Sequence, residues 1–251
     1  MKRSYNKIVV DAMHELRYFN QRLKNLSEQL SKEVKVDELG NGVPLNTNAT
    51  HADQIRTISE GILSLSQLFT TRLQFIDIEL SPETIQELPV ISINIYGKFD
   101  KARRMLNSQA RGKKVKVKFP DKDIRVKDFD AYPIIDILPY LLLDNAIKYS
   151  PDKNEVTVEF ESNKDIIEIN IESIGPKVED DEVKYLTDKG YRGESSKSLS
   201  SPGSGLGLHM VSYICDLHNI KFSLQSKEPF CEYHGIPHSI FLVKLEIPVQ
   251  L

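Results

Sequence analysis

The stretch GSGLGLHMVSYICDLH (203–218) carries the strongest local indication of fold in this chain. Three glycines at alternate positions, Gly203, Gly205 and Gly207, run directly into a segment whose apolar residues repeat with a helical period. Glycine lets the backbone come close to another group, and a helix N-terminus offers free N–H groups to an anion. The stretch therefore predicts a helix over 206–218 whose start suits a phosphate.

Two common phosphate-binding motifs do not fit this stretch. A P-loop needs a Gly-Lys-Ser/Thr sequence, and none follows these glycines. A Rossmann fingerprint follows a buried strand, whereas a Ser/Gly-rich loop (193–205) precedes this helix. A glycine-rich helix start by itself is weak evidence, so the interpretation depends on the rest of the chain.

The rest of the region 89–251 alternates between strand and helix patterns. Ile91, Ile93 and Ile95 alternate as in a strand, and Lys alternates with Val in KKVKVKF (113–119), which predicts a strand with a solvated lysine face. Helices are predicted at 98–110, 138–149 and near 180–187, and further strands at 156–160, 166–172, 221–225 and 240–247. The strand pairs look antiparallel, so we expect an α+β sandwich of helices on one sheet.

Residues 1–88 have a different pattern. Apolar residues are spaced alternately 3 and 4 apart, which predicts two long helices with heptad seams, one before and one after a loop at 38–50. The seam of the first helix is Val9, Ala12, Leu16, Phe19, Leu23, Leu26 and Leu30. The seam of the second helix is Ile55, Ile58, Ile62, Leu65, Phe69 and Ile76. The two helices form an antiparallel hairpin, which a homodimeric four-helix bundle would complete. The alternative is that both helices pack on the domain that follows.

Composition limits the class of protein. The chain has 251 residues, 33 Lys+Arg against 36 Asp+Glu and a formal charge of −3, which argues against a generally basic nucleic-acid binder. Cys215 and Cys231 form no CxxC pattern, which fits a reducing compartment. Neither a signal-peptide core nor a run of about 20 apolar residues is visible, so we expect a cytoplasmic protein without a membrane segment.

Four segments occur in an order typical of one superfamily: LLLDNAIKYSPD (141–152), SIGPKV (173–178), GYRG (190–193) and GSGLGL (203–208). This order resembles the Bergerat-type ATP-binding fold of the histidine kinase, gyrase, Hsp90 and MutL superfamily, and histidine kinases most closely. In that family the segments correspond to the N box, the G1 box, the segment before the ATP lid and the G2 box. The resemblance covers about residues 130–251 and implies that 89–251 is an ATP-binding domain.

The resemblance implies roles for the matched residues. Asn145 would hold Mg²⁺ against the phosphates of ATP, Lys148 would meet phosphate charge, and Tyr149 would border the nucleotide. Arg192 is a candidate contact of the γ-phosphate. The G1 box contributes Ser173, at the position of the Asp that receives the adenine amino group, and Gly175, and the G2 box contributes Gly203, Ser204, Gly205, Leu206, Gly207 and Leu208. The alternative for Lys148 and Arg192 is a solvated surface charge.

The first helix carries a candidate phosphoacceptor. His14-Glu15-Leu16-Arg17 resembles the H box of histidine kinases, in which the His accepts the phosphoryl group and the adjacent acid helps to remove its proton. With Val9 and Ala12 at heptad positions a and d, His14 falls at the exposed position f. An exposed imidazole of near-neutral pKa suits nucleophilic attack, with Glu15 as general base. The alternative is a surface histidine without a role.

The sequence departs from the family pattern in several places. Leu141 stands where a second polar residue normally precedes the N-box Asn, Lys177 replaces the second G1 glycine, and Tyr18-Phe19 replace the H-box Pro. The first hypothesis is an ATP-dependent histidine kinase that autophosphorylates and then phosphorylates an Asp of a response regulator receiver domain. The second is a degenerate, dimeric binding module that signals through a protein partner. An ATPase driven by lid closure is a third reading, and Leu141 argues against it because it supplies no acid.

Overall fold

The computed structural model describes residues 2–36, 42–44, 49–80, 88–120, 125–197 and 205–249. The chain divides into two compact units, Met1–Glu87 and Leu88–Leu251. Sequence analysis predicts a domain boundary between residues 88 and 89, one residue from this division. The roles given to 1–88, dimerisation and phosphoacceptor, and to 89–251, nucleotide binding, remain predictions.

The first unit is a helical hairpin. Helix α1 spans Lys2–Glu33 and helix α2 spans Ala49–Leu80. The two helices pack closely at Gly61, because a Cβ built there would lie 3.3 Å from Leu26 Cδ1. Near the turn, His51 Nδ1 lies 3.0 Å from Glu33 Oε2, so the end of α1 meets the start of α2. The predicted antiparallel pair of long helices is therefore present.

Between these helices lies a short ladder that the sequence did not reveal. Strand β1 (Val34–Val36) pairs antiparallel with β2 (Gly42–Pro44), and β2 lies within the predicted loop at 38–50. Gly and Pro dominate the sequence pattern of this segment, which masks so short a strand. His51 is buried next to this ladder, with its Nε2 3.1 Å from the Glu33 carbonyl oxygen.

The second unit is built from helices and strands in mixed order. Its strands and helices are β3 (Ile91–Ile93), α3 (Ile95–Met105), α4 (Asn107–Lys113), β4 (Lys116–Lys118), β5 (Phe129–Ala131), a 3₁₀ helix (Pro133–Ile137), α5 (Leu138–Tyr149), β6 (Glu155–Ser162), β7 (Ile166–Pro176), α6 (Asp180–Val183), α7 (Glu194–Lys197), α8 (Gly207–Leu217), β8 (Lys221–Tyr233) and β9 (Ile236–Pro248).

Five strands form the main sheet, in the order β4-β6-β7-β9-β8. Alternate residues on the central strands are buried, which gives the sheet one apolar face; they include Val156, Val158, Ile167, Ile169, Ile171, Val243, Leu245 and Ile247. Helix α5 packs against β7 and lies in contact with both α3 and α8. The fold is therefore the predicted α+β arrangement, with helices on one face of a sheet.

Three details differ from the sequence-based expectation. Strand β4 pairs parallel with β6, not antiparallel, because the chain between them includes α5 and parallel neighbours need such a crossover. The helix expected at 98–110 is two helices, interrupted at Leu106. The closing hairpin of β8 and β9 extends beyond the predicted strands to a tight turn at His234 (φ 53°) and Gly235 (φ 74°).

Candidate functional site

Helix α5 presents the three N-box residues near its end. Pro139 lies in its first turn, where the absent N–H costs no intrahelical hydrogen bond. The apolar residues of the helix are buried in the unit; they include Leu138, Leu142, Leu143, Ala146 and Ile147. Asn145, Lys148 and Tyr149 are only partly buried, so polar groups remain accessible at the carboxyl end of the helix.

The structure brings Tyr149 together with the G1 segment at the end of β7. A Cβ built on Gly175 would lie 4.0 Å from Tyr149 Cβ and 3.9 Å from Phe241 Cβ, both ordinary contacts. Ser173, two residues earlier, is buried and pairs across the sheet with Phe241. The ammonium of Lys148 lies 5.0 Å from the centre of the Tyr149 ring. The predicted Tyr149, Lys148 and Gly175 therefore occupy one place in the fold.

A lysine from outside the predicted motifs holds the same end of α5. Lys113 Nζ donates hydrogen bonds to the carbonyl oxygens of Ile147, Lys148 and Ser150, at 3.1, 2.7 and 2.5 Å. The alternation of Lys and Val in 113–119 predicts that Lys113 lies in a strand with a solvated lysine face. That face exists at Lys116 and Lys118 on β4, but Lys113 is the last residue of α4.

The GYRG segment and the G2 box are also adjacent. Gly205 has φ +72°, and its carbonyl accepts a hydrogen bond from Gly190 N at 3.1 Å. A Cβ at Gly205 would lie 2.5 Å from Gly190 C and 2.5 Å from Tyr191 O, a severe clash. The glycine at 205 is therefore required by the packing of the chain against itself, a reason that the sequence reading did not foresee.

Glu182 anchors the segment before the G2 box. Its Oε1 accepts hydrogen bonds from Tyr191 Oη at 2.8 Å and from Glu194 N at 3.0 Å. Burial raises the pKa of Glu182, but these two hydrogen bonds, a hydrogen bond from the backbone of Glu179 and the charge of Lys197 together hold the pKa below its usual value. The hydrogen bond to Glu182 also raises the pKa of Tyr191 to about 12. No sequence pattern indicates this contact, since Glu182 is one of several acids in its segment.

Arg192 follows this anchor and closes a local turn. Its Nη2 donates to the Ser196 carbonyl at 2.9 Å, so the guanidinium lies beside α7. Leu206, Gly207 and Leu208 lie at the start of α8, with Leu206 buried and the other two partly exposed. Gly203 and Ser204 lie outside the described residues. His14 and Glu15 lie in α1, and their side chains also fall outside the described part.

Two residues of the second unit that depart from the family pattern, Leu141 and Lys177, are buried. Leu141 lies in the apolar core of the unit. Lys177 is only 9% exposed, and its Nζ lies 3.5 and 3.4 Å from the carbonyl oxygens of Ser226 and Lys227 on β8. Ser226 Oγ accepts a hydrogen bond from Val178 N at 3.1 Å. Lys177 therefore joins the end of β7 to the extended hairpin.

A buried hydroxyl pair lies on the sheet next to Ser173. Ser226 Oγ and Ser239 Oγ are 2.7 Å apart, and Ser239 pairs across the sheet with Gly175. The sequence reading did not single out either serine. Among the described residues, no group of three or more His, Cys, Asp or Glu side chains could hold a metal ion.

Comparison with known families identifies the second unit. The family model described as histidine kinase-, DNA gyrase B- and HSP90-like ATPase matches residues 140–246. That region contains α5, the end of β7 and the start of α8. The region 140–246 belongs to this ATPase family, which includes histidine kinases. This region is accordingly an ATP-binding domain.

Sequence relatives of the chain include bacterial sensor kinases. The sensor histidine kinase YkoH of Bacillus subtilis (strain 168) is 32% identical over 87 residues, which is 35% of this chain and 19% of YkoH. The sensor protein BasS of Salmonella typhimurium (strain LT2) is 27% identical over 217 residues, 86% of this chain and 54% of BasS. The chain therefore spans from about a fifth to about half of the curated relatives that it matches.

Solved histidine kinases have the same fold. The catalytic domain of the histidine kinase ThkA has a TM-score of 0.51 and 16% identity, covering 65% of this chain and 100% of that chain. A crystal structure of ThkA in complex with the response regulator protein TrrA has a TM-score of 0.52 and 16% identity, covering 97% of this chain and 61% of that chain. No described helix is long and apolar enough to cross a membrane.

Proposed function

We propose that this chain is an ATP-dependent protein histidine kinase that phosphorylates His14 and then passes the phosphoryl group to an Asp of a receiver domain. The observation that carries the proposal is the position of Asn145, Lys148 and Tyr149 in the last two turns of α5, with Tyr149 next to Gly175, within the region that matches the ATPase family. Labelling with γ-phosphate-labelled Mg·ATP tests the proposal, because it requires acid-labile phosphate on His14.

The proposed nucleotide site uses groups of different chemistry. The Tyr149 ring would border the nucleotide opposite the backbone of Gly175, where the absent side chain leaves room. Lys148 and Arg192 would neutralise phosphate charge. Phosphoryl transfer depends mainly on such positioning and charge neutralisation.

The amide of Asn145 could bind a magnesium ion only together with oxygen ligands from the nucleotide. The amide oxygen of Asn145 is a hard ligand suited to Mg²⁺, and its side chain is partly exposed at the site. Leu141, one turn earlier, is apolar and buried, so the rest of the coordination would come from phosphate oxygens and water. When bound, the ion would supply charge neutralisation at the phosphates.

The proposed phosphoacceptor lies in the first unit. One imidazole nitrogen of His14 would form the bond to the γ-phosphorus as the bond to the ADP oxygen breaks. Glu15 would accept the proton that the ring loses, and ADP would leave with its negative charge neutralised by Lys148 and Arg192. Both residues lie in α1.

A homodimer is part of the proposal. All but one of the described seam residues are only partly buried in one chain; they are Leu16, Leu23, Leu26, Leu30, Ile55, Ile58, Ile62 and Phe69, whereas Ile76 is buried. Partly exposed apolar seams on two packed helices suit a second copy of the same hairpin, which would complete a four-helix bundle. Sedimentation velocity at micromolar concentration should therefore give a dimer.

The proposed downstream partner is a receiver domain. Support comes from the similarity of this chain to ThkA, whose structure was determined in complex with the response regulator protein TrrA. Transfer would move the phosphoryl group from a phosphoimidazole to a carboxylate of the receiver. We place this reaction in the cytoplasm, where ATP is available.

The second candidate function is a binding module with weak or no catalysis. The buried Leu141 and Lys177 and the neutral Ser173 favour it, because they replace a polar residue, a glycine and a carboxylate of the family pattern. Calorimetric titration with Mg·ATP separates the two candidates. Micromolar affinity together with phosphoryl transfer supports the kinase, whereas the absence of both supports the binding module.

A further inference from the structure

The carboxyl end of α5 is held by a side chain from a distant part of the sequence. Lys113 Nζ donates to three carbonyl oxygens, those of Ile147, Lys148 and Ser150, within 3.1 Å. The last four carbonyls of an α-helix have no intrahelical partner and carry the negative end of the helix dipole. A single ammonium with three donors is therefore well matched to this place.

The surrounding backbone holds Lys113 in position. Its own carbonyl accepts a hydrogen bond from Lys153 N at 2.9 Å, and Lys116 N donates to Asn154 O at 2.9 Å. These bonds tie the α4–β4 turn to the segment that follows α5. The ammonium of Lys113 is partly withdrawn from water where it meets these carbonyls. This burial lowers the pKa of Lys113, and the charge of Asp152 offsets part of the lowering.

The last turn of α5 needs this support because helix ends fray. Ser150 also contributes: its backbone N and its Oγ both bond to the Ala146 carbonyl, at 3.1 and 2.8 Å. Lys148 and Tyr149 lie between Ala146 and Ser150, in the turn that these bonds and Lys113 fix. A shift of this turn would move the Tyr149 side chain relative to Gly175, with which it is in contact.

We propose that Lys113 is a positioning residue of the nucleotide site, which fixes the last turn of α5 so that Lys148 and Tyr149 keep their places beside Gly175. The inference rests on the proposed ATP-binding function and adds to it a residue outside the four motifs. Neighbouring lysines differ in their contacts: Lys118 pairs with Glu155 at 2.6 Å on the exposed face of the sheet, and the Lys116 side chain is exposed.

The experiment compares the 251-residue chain carrying Lys113→Met with three controls. Lys113→Arg keeps a charged donor, Lys116→Met removes an exposed lysine nearby, and Ile247→Val destabilises the sheet core at a buried position of β9. For each protein, amide hydrogen exchange at residues 147–150 is measured without nucleotide, and the Kd for Mg·ATP is measured by calorimetry. If Lys113→Met does not fold, Lys113→Gln, which keeps one donor group, replaces it.

We expect Lys113→Met to speed exchange at 147–150 and to raise the Kd for Mg·ATP, each about tenfold or more, as for the loss of a hydrogen bond to a charged group. Lys113→Arg should restore most of the affinity, and Lys116→Met and Ile247→Val should leave it unchanged. Faster exchange with an unchanged Kd would overturn the positioning role alone. A wild type that binds no Mg·ATP would overturn the proposed function and, with it, the positioning role.

Discussion

Gly205 lies against the backbone of Gly190, whose N–H donates to the Gly205 carbonyl at 3.1 Å. This hydrogen bond joins the GYRG segment to the start of the G2 box. With φ +72°, Gly205 adopts a left-handed conformation, and a Cβ there would lie 2.5 Å from Gly190 C. Of the two described G2-box glycines, Gly205 is thus fixed by packing, whereas a Cβ at Gly207 would meet nothing within 4 Å.

The first prediction contrasts these two glycines. Gly205→Ala should lower the free energy of unfolding by roughly 2 kcal/mol or more, because it combines left-handed strain with a backbone clash. Gly207→Ala should be neutral or slightly stabilising, since alanine favours the helix that begins there. Urea denaturation of both variants checks the contrast. Equal losses of stability in the two variants would contradict the packing that we describe.

The second prediction concerns Ser173, which is 6% exposed at the end of β7. Ser173→Asp would restore a charged acceptor for an adenine amino group and should tighten Mg·ATP binding roughly tenfold to hundredfold, the effect of about 1–3 kcal/mol. Without nucleotide, the same variant should be less stable, because a buried carboxylate then lacks a partner.

Calorimetry and thermal unfolding measure these two opposite changes. Glu172→Asp, a change at an exposed position of the same strand, is the control and should alter neither quantity. A Ser173→Asp variant that binds Mg·ATP no better than the wild type would show that Ser173 does not contact the base.

The third prediction concerns the pH dependence of stability. His218 is buried; its Nε2 accepts a hydrogen bond from Tyr132 N at 3.0 Å, and its Nδ1 lies 2.7 Å from the Ile214 carbonyl. Burial lowers the pKa of His218 below its ordinary value of 6.5. The unfolded chain therefore takes up the proton first, so this contribution to stability is complete above about pH 6.5 and declines as the pH falls toward the folded-state pKa.

Thermal unfolding between pH 5 and pH 8 checks the role of His218. The wild type should lose stability on the acid side of pH 6.5, and His218→Gln should lose less over the same range. His234→Gln, at an exposed position, should retain the wild-type slope. If His218→Gln has the same pH dependence as the wild type, other groups are responsible for the acid loss.

The fourth prediction concerns the two thiols. Cys231 is exposed and Cys215 is buried in α8, where burial raises the pKa of its thiol. A thiol reagent such as Ellman's reagent should therefore modify one cysteine rapidly in the native protein and both in denaturant. Cys231→Ser should abolish the rapid phase. Rapid reaction of two thiols in the native wild type would contradict the burial of Cys215.

Much of the fold follows from local pattern. Helix α5 has the bounds that the sequence pattern predicts, 138–149, and its apolar residues Leu138, Leu142 and Ile147 are buried. The heptad seams predicted the hairpin of α1 and α2 in the same way. Strand β5 was missed because it has three residues, Phe129–Ala131, too few for an alternation to stand out.

Long-range contacts were not predictable from local pattern. Lys113 lies 34 residues or more before the carbonyls that it contacts, so spacing along the chain carries no trace of the pairing. The same holds for Gly205 and Gly190, since the requirement for glycine comes from a neighbouring backbone. The motifs gave the residues of the candidate site, and only the packed structure gave the contacts that hold them.

The most direct test of the central claim is phosphoryl transfer to His14. Wild type, His14→Gln, Asn145→Ala and the control His234→Gln are incubated with γ-³²P-labelled Mg·ATP, and acid-labile, base-stable label on the protein is measured. We expect label on the wild type and on His234→Gln, and none on His14→Gln or Asn145→Ala. Equal label on His14→Gln, or no label on the wild type, would contradict the phosphorylation of His14.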